Sequence, residues 1–178
     1  MRLVLAIAMA GLLHAPVSAA LRPGSIAPAF ETKAAMAGKP FAFSMTAARK
    51  KGPVVLYFFP AAFTPGCTVE ANEFAQAMPE FKKLGASVIG VAGDDIAKLT
   101  EFSVKECRNK FPVGVATPAI AKAYDVAIPL AGRTNRTSYL IAPNGQIIHV
   151  HSNGDYRGHV QIMLKALKDW RAGSGHKH

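Results

Sequence analysis

Three features of this 178-residue chain predict a three-layer α/β sandwich around a central mixed sheet. Two continuous apolar runs, Val54-Val55-Leu56-Tyr57-Phe58-Phe59 and Ser87-Val88-Ile89-Gly90-Val91-Ala92, have the composition of strands covered on both faces. After each run the apolar spacing turns helical, the alternation produced by parallel strands joined through crossover helices. Hairpin-like pairs flank this core at both ends, so antiparallel edges are expected on a parallel centre.

The elements follow in order. Residues 30–34 and 40–44 flank Met36-Ala37-Gly38-Lys39 and form the expected N-terminal β-hairpin. Pro60 ends the first buried strand. From Thr64 onward Phe74, Ala77, Met78, Phe81 and Leu84 recur at helical spacing, and Gly85 stops the helix. A second helix is expected from Asp95, whose carboxylate can cap it, to Lys110. Residues 111–116 form a weaker strand. Residues 137–141 and 146–150 flank Ala142-Pro143-Asn144-Gly145, a turn that favours a second hairpin. Apolar residues at 160, 163, 164 and 167 predict a closing amphipathic helix up to Trp170.

The ends have a different character. Arg2 precedes an apolar run of ~11 residues, short of the ~20 a permanent membrane helix requires. His14-Ala15-Pro16-Val17-Ser18-Ala19-Ala20 follows, with a helix breaker and small residues, as in a secretory signal peptide. Residues 1–20 are therefore expected to be a cleaved leader, cut after Ala19 or Ala20, with residues 21–173 as one domain and 174–178 as a disordered tail. The expected destination is outside the cytoplasm, best matched by a bacterial periplasm. The formal net charge is +10, but the Lys and Arg residues are dispersed, which argues against nucleic-acid binding. No second long apolar segment predicts stable membrane insertion. The two cysteines lie forty positions apart, too few for a disulfide scaffold and without a Cys-x-x-Cys pair.

The chemistry points to Cys67. It follows a buried strand and a short turn, in the first turn of the helix beginning near Thr64. Helix N-termini present unpaired N–H groups and partial positive charge, which stabilise a thiolate. Local physics alone leaves a packed, inert cysteine as the competing reading. The motif Pro60-x-x-x-Thr64-x-x-Cys67 favours the reactive reading, because it resembles the active-site signature of peroxiredoxins. Arg136-Thr137-Ser138-Tyr139-Leu140-Ile141-Ala142-Pro143-Asn144-Gly145 resembles that family's later motif, and the likeness extends from Gly24 to the terminal helix. Phe63-Thr64-Pro65-Gly66-Cys67-Thr68 is similar to the bacterioferritin comigratory (PrxQ-like) branch.

The resemblance implies a thioredoxin-like fold and a thiol-dependent peroxidase that reduces hydrogen peroxide and organic hydroperoxides. Cys67 would attack the peroxide and become a sulfenic acid. Thr64 would donate to the thiolate or orient the peroxide, and Arg136 would supply a fixed positive charge. Pro60 would shield the site from water, and Glu70 would hold Arg136. Arg133 is a rival for the arginine role. No metal, haem or flavin is implied, and His149, His151 and His159 are too scattered to suggest a metal site.

Many members of the branch carry a resolving cysteine five residues after the first, where this chain has Asn72. Cys107, expected on the second helix in line with Ile96, Leu99 and Ser103, is the remaining partner for an intramolecular disulfide. The implied partners are a hydroperoxide and an external thiol or thioredoxin-like reductant, with the chain as a monomer or weak homodimer. Two alternatives stay open at this point. One is a disulfide-exchange protein using Cys67 and Cys107. The other is a non-catalytic protein of the same fold, in which the two form a permanent structural disulfide.

Overall fold

The computed structural model describes residues 20–174. Most of the expected leader, residues 1–19, and residues 175–178 lie outside it.

Strands β1 (Glu31–Met36) and β2 (Lys39–Ser44) form the N-terminal hairpin in register from Glu31 opposite Ser44 to Met36 opposite Lys39. Its two-residue turn places Ala37 and Gly38 at φ 51° and 76°, as a primed hairpin turn requires. A short helix, α1 (Met45–Arg49), follows, capped by Ser44. Strands β3 (Val54–Phe58), β4 (Ser87–Ala92) and β5 (Val113–Val115) form the parallel centre. Helices α2 (Pro65–Lys83) and α3 (Ile96–Lys105) are the crossovers. Asp95 caps α3 by accepting from the Lys98 amide at 2.9 Å. After β5 come α4 (Pro118–Ala123) and a small hairpin of β6 (Ala127–Ile128) and β7 (Arg133–Thr134). Strands β8 (Thr137–Ile141) and β9 (Ile147–Ser152) and helix α5 (His159–Ser174) complete the chain.

The seven-stranded sheet runs β2-β1-β5-β4-β3-β8-β9. β1 joins β5 antiparallel, and β8 joins β3 antiparallel, so the mixed sheet is as expected. Alternation along β3 divides the core. Val55, Tyr57 and Phe59 face one cluster with residues of α2, α3 and α5. Val54, Leu56 and Phe58 face a second cluster containing Met45 of α1 and Ile120 of α4. Both faces of β3 are thus buried, which is why its sequence reads as an unbroken apolar run.

Three expectations need correction. Helix α3 ends at Lys105, not Lys110, because Arg108 and Asn109 adopt left-handed backbone (φ 50° and 59°) that a helix does not accommodate. Cys107 consequently sits in the turn after α3, not on it. At the C-terminus α5 extends through Gly173 and Ser174, so the tail expected from 174 begins inside the last helical turn. The short elements α1, α4, β6 and β7 carry too few residues for a periodic signal.

Candidate active site

The site is assembled at the carboxyl end of β3, where open α/β sheets place ligands. Two hydrogen bonds pin the turn between β3 and α2. The Ala62 amide donates to Asp94 Oδ2 at 2.8 Å, and Thr134 Oγ1 donates to the Phe59 carbonyl at 2.9 Å. Pro60 is half-buried in that turn. Pro65 then starts α2, where the missing N–H of proline is harmless. Cys67 follows as the third helical residue, 1% exposed, among the orphan amides of the helix start.

Arg136, just before β8, reaches the thiol. Its Nη2 lies 3.4 Å from Cys67 Sγ. Nη1 donates to Glu70 Oε2 in a buried ion pair, and Nε donates to the Gly154 carbonyl at 3.1 Å. One face of the guanidinium is thus anchored, and the remaining donor points at sulfur. Burial raises the Glu70 carboxyl above its ordinary value, while Arg136 pulls it back. Tyr156 closes the site from the other side, its ring carbon 3.3 Å from where a Cβ on Gly66 would stand. A side chain at position 66 would crowd the Tyr156 ring by a few tenths of an ångström. Arg157 lies over the same ring at 5.3 Å.

The structure brings Cys67, Glu70 and Arg136 together as the sequence led one to expect. Arg133, the rival arginine, is exposed on β7. Thr64 departs from the expected geometry: its hydroxyl donates to the Ala61 carbonyl at 3.0 Å and makes no cap bond. A hydroxyl has one proton, so Thr64 can donate to sulfur or peroxide only after rotating away from Ala61. Cys107 shares the apolar cluster of Cys67 and is fully buried, and burial, with Glu106 beside it, pushes its thiol well above the ordinary range. Both cysteines are free thiols in this structure.

Residues 23–150 match the AhpC/TSA family. The chain belongs to that family. It is 34% identical over 122 residues to Peroxiredoxin Bcp of Xanthomonas campestris pv. campestris, covering 65% of this chain and 76% of that one. It is 36% identical over 124 residues to the chloroplastic Peroxiredoxin Q of Oryza sativa subsp. japonica, covering 67% of this chain and 56% of the rice chain. These relatives fall in the branch that the Phe63–Thr68 segment resembles. Among solved structures, Peroxidoxin BcpB of Mycobacterium tuberculosis superposes with a TM-score of 0.76 at 27% identity, over 84% of this chain and 97% of that one.

Sequence reasoning missed Tyr57, Asn72, Tyr156 and His159 as neighbours of the chemistry. The Tyr57 phenol is buried without a hydrogen-bond partner among the described residues. Asn72 Nδ2 donates to Glu106 Oε2 at 3.1 Å and to the Thr68 carbonyl at 2.9 Å, tying α2 to the Cys107 turn. His159 is buried against Glu70. The Asn72–Glu106 and His159–Glu70 contacts leave no spacing signal, because each joins elements far apart in the chain.

Proposed function

We propose that Cys67 is the attacking thiolate of a thiol-dependent peroxidase, resolved by Cys107 and acting after export, in a bacterial periplasm. The observation carrying the reading is the contact of Arg136 Nη2 with Cys67 Sγ at 3.4 Å, with Glu70 fixing the guanidinium behind it.

The thiolate attacks the terminal oxygen of a hydroperoxide. An S–O bond forms, the O–O bond breaks, and the departing oxygen takes a proton to leave as water or an alcohol. Charge moves from sulfur to the leaving oxygen, and Arg136 stabilises both ends of that path. Thr64, rotated off Ala61, donates to the peroxide oxygen, and Pro60 and Tyr156 limit water around it. The Cys67 sulfenic acid then meets the Cys107 thiol, giving a disulfide and water. Because both thiols are buried, the start of α2 and the 106–110 turn must open for this step. An external dithiol of thioredoxin-like kind restores both thiols by exchange. The leader-like pattern at 1–20 supports export, and the protein is read as a monomer or weak homodimer.

The test is stopped-flow oxidation of the reduced protein by hydrogen peroxide, with mass spectrometry of both cysteines. Fast oxidation of Cys67 followed by a 67–107 disulfide is expected. Reaction no faster than free cysteine refutes the peroxidase reading, and an accumulating Cys67 sulfenic acid refutes the role of Cys107.

A further inference from the structure

His159 opens α5 and is fully buried. Its ring partners define its tautomer. Nε2 lies 3.1 Å from the Asn153 carbonyl, which can only accept, so Nε2 carries the proton. Nδ1 is then a bare lone pair, accepting the Ser138 hydroxyl at 2.8 Å. The same Nδ1 stands 3.7 Å from Glu70 Oε1, an oxygen with no hydrogen-bond partner among the described residues.

The backbone that His159 holds is the backbone that holds Arg136. Asn153 donates its amide to the Arg136 carbonyl at 3.2 Å, and Gly154 accepts from Arg136 Nε. The loop's own side-chain bonds, Asn153 Oδ1 to the Asp155 amide and Asp155 to Arg157, are exposed and add little. The buried tie is His159.

We propose that His159 is a positioning residue for Arg136. Its Nε2–H fixes the Asn153–Gly154 backbone that anchors the guanidinium, and its unprotonated Nδ1 leaves Glu70 to pair with Arg136 alone. A proton on Nδ1 would offer Glu70 Oε1 a competing cation. Burial opposes that proton, holding the imidazole down at about 4. The groups facing the ring are Glu70 from α2, Ser138 from β8 and His151 from β9, whose ring lies 4.5 Å away. The charge of Arg136 also opposes that proton. The proposal rests on Arg136 serving the Cys67 thiolate.

The experiment compares H159Q, H159N and R136M in the full mature chain. Gln places an amide N–H where Nε2 lies, whereas Asn reaches only the Nδ1 position. Each variant is followed by peroxide rate, by the pH profile of Cys67 alkylation and by thermal denaturation. H159Q is expected to retain the peroxide rate within about threefold. H159N is expected to lose about tenfold, with its alkylation profile moved to higher pH, as one misaligned charge-assisted hydrogen bond allows. A folded H159N with wild-type rate and profile, or H159Q impaired as much as H159N, overturns the proposal. A lowered melting temperature with an unmoved Cys67 profile assigns His159 a merely structural role. If R136M itself leaves rate and profile unchanged, the reading of Arg136 fails instead.

Discussion

Replacing Asn72 by Ala should accelerate disulfide formation without changing the reaction of Cys67 with peroxide. Cys107 must leave a fully buried position before it can meet the Cys67 sulfenic acid. Its turn is fastened by the bond from Asn72 Nδ2 to Glu106 Oε2 at 3.1 Å, and strained by left-handed backbone at Arg108 and Asn109. A hydrogen bond to a charged acceptor between half-buried side chains contributes about 1 kcal/mol. Its loss raises the open population, and with it the resolving rate, about fivefold. E106Q should act in the same direction, because its amide oxygen accepts a weaker, uncharged bond from Asn72 and the carboxylate that disfavours the resolving thiolate is gone. The assay is a single turnover with one equivalent of hydrogen peroxide, quenched by thiol alkylation and resolved by mass spectrometry. Unchanged or slower disulfide formation in N72A, with C107S still blocking the disulfide, refutes the clasp. If the sulfenic acid disappears equally fast in C107S, the fault lies with Cys107 itself.

Thr64→Val should slow peroxide reduction about a hundredfold while Thr64→Ser retains most of the rate, since the proposed role belongs to the hydroxyl; equal rates in the two variants would remove Thr64 from the mechanism. Tyr57→Phe should stabilise the reduced protein, because a buried hydroxyl without a partner among the described residues costs about 1–3 kcal/mol, or roughly 2–10 °C in melting temperature at this size; a lower melting temperature would show that the hydroxyl is satisfied. The His159 share of stability should also fall as pH drops from 6.5 to about 4, where the unfolded chain protonates His159 and the folded one does not, against the opposite contribution of Glu70, whose raised carboxyl binds its proton first in the folded chain. That single proton corresponds to about 1.4 kcal/mol per pH unit, and urea titrations of H159Q should lack this share of the slope.

Much of this protein was legible before any coordinates. The buried strands β3 and β4 announce themselves because both faces are covered, and every residue of β3 must be apolar. Cys67 is legible because its thiol sits one turn past a strand, next to Pro60 and Thr64 in a local motif, and Arg136 because it leads into a recognisable strand and turn. The end of α3 was not legible. It depends on left-handed backbone at Arg108 and Asn109, where arginine carries no helix-stop signal and a lone asparagine only a weak one. The orientation of the Thr64 hydroxyl was equally hidden, since the same side chain can serve Ala61 or sulfur.

By itself the amino-acid sequence determined the sandwich, the first cysteine and the arginine that answers it, because each is written in local period or contiguous motif. Tertiary structure alone decided which partners those residues meet. Glu70 lies on α2, Arg136 before β8, Gly154 after β9 and His159 on α5, and burial is what makes their contacts matter. In water such contacts would be weak and interchangeable. Enclosed together, each donor has few acceptors within reach, so the packing of distant elements selects the pairing.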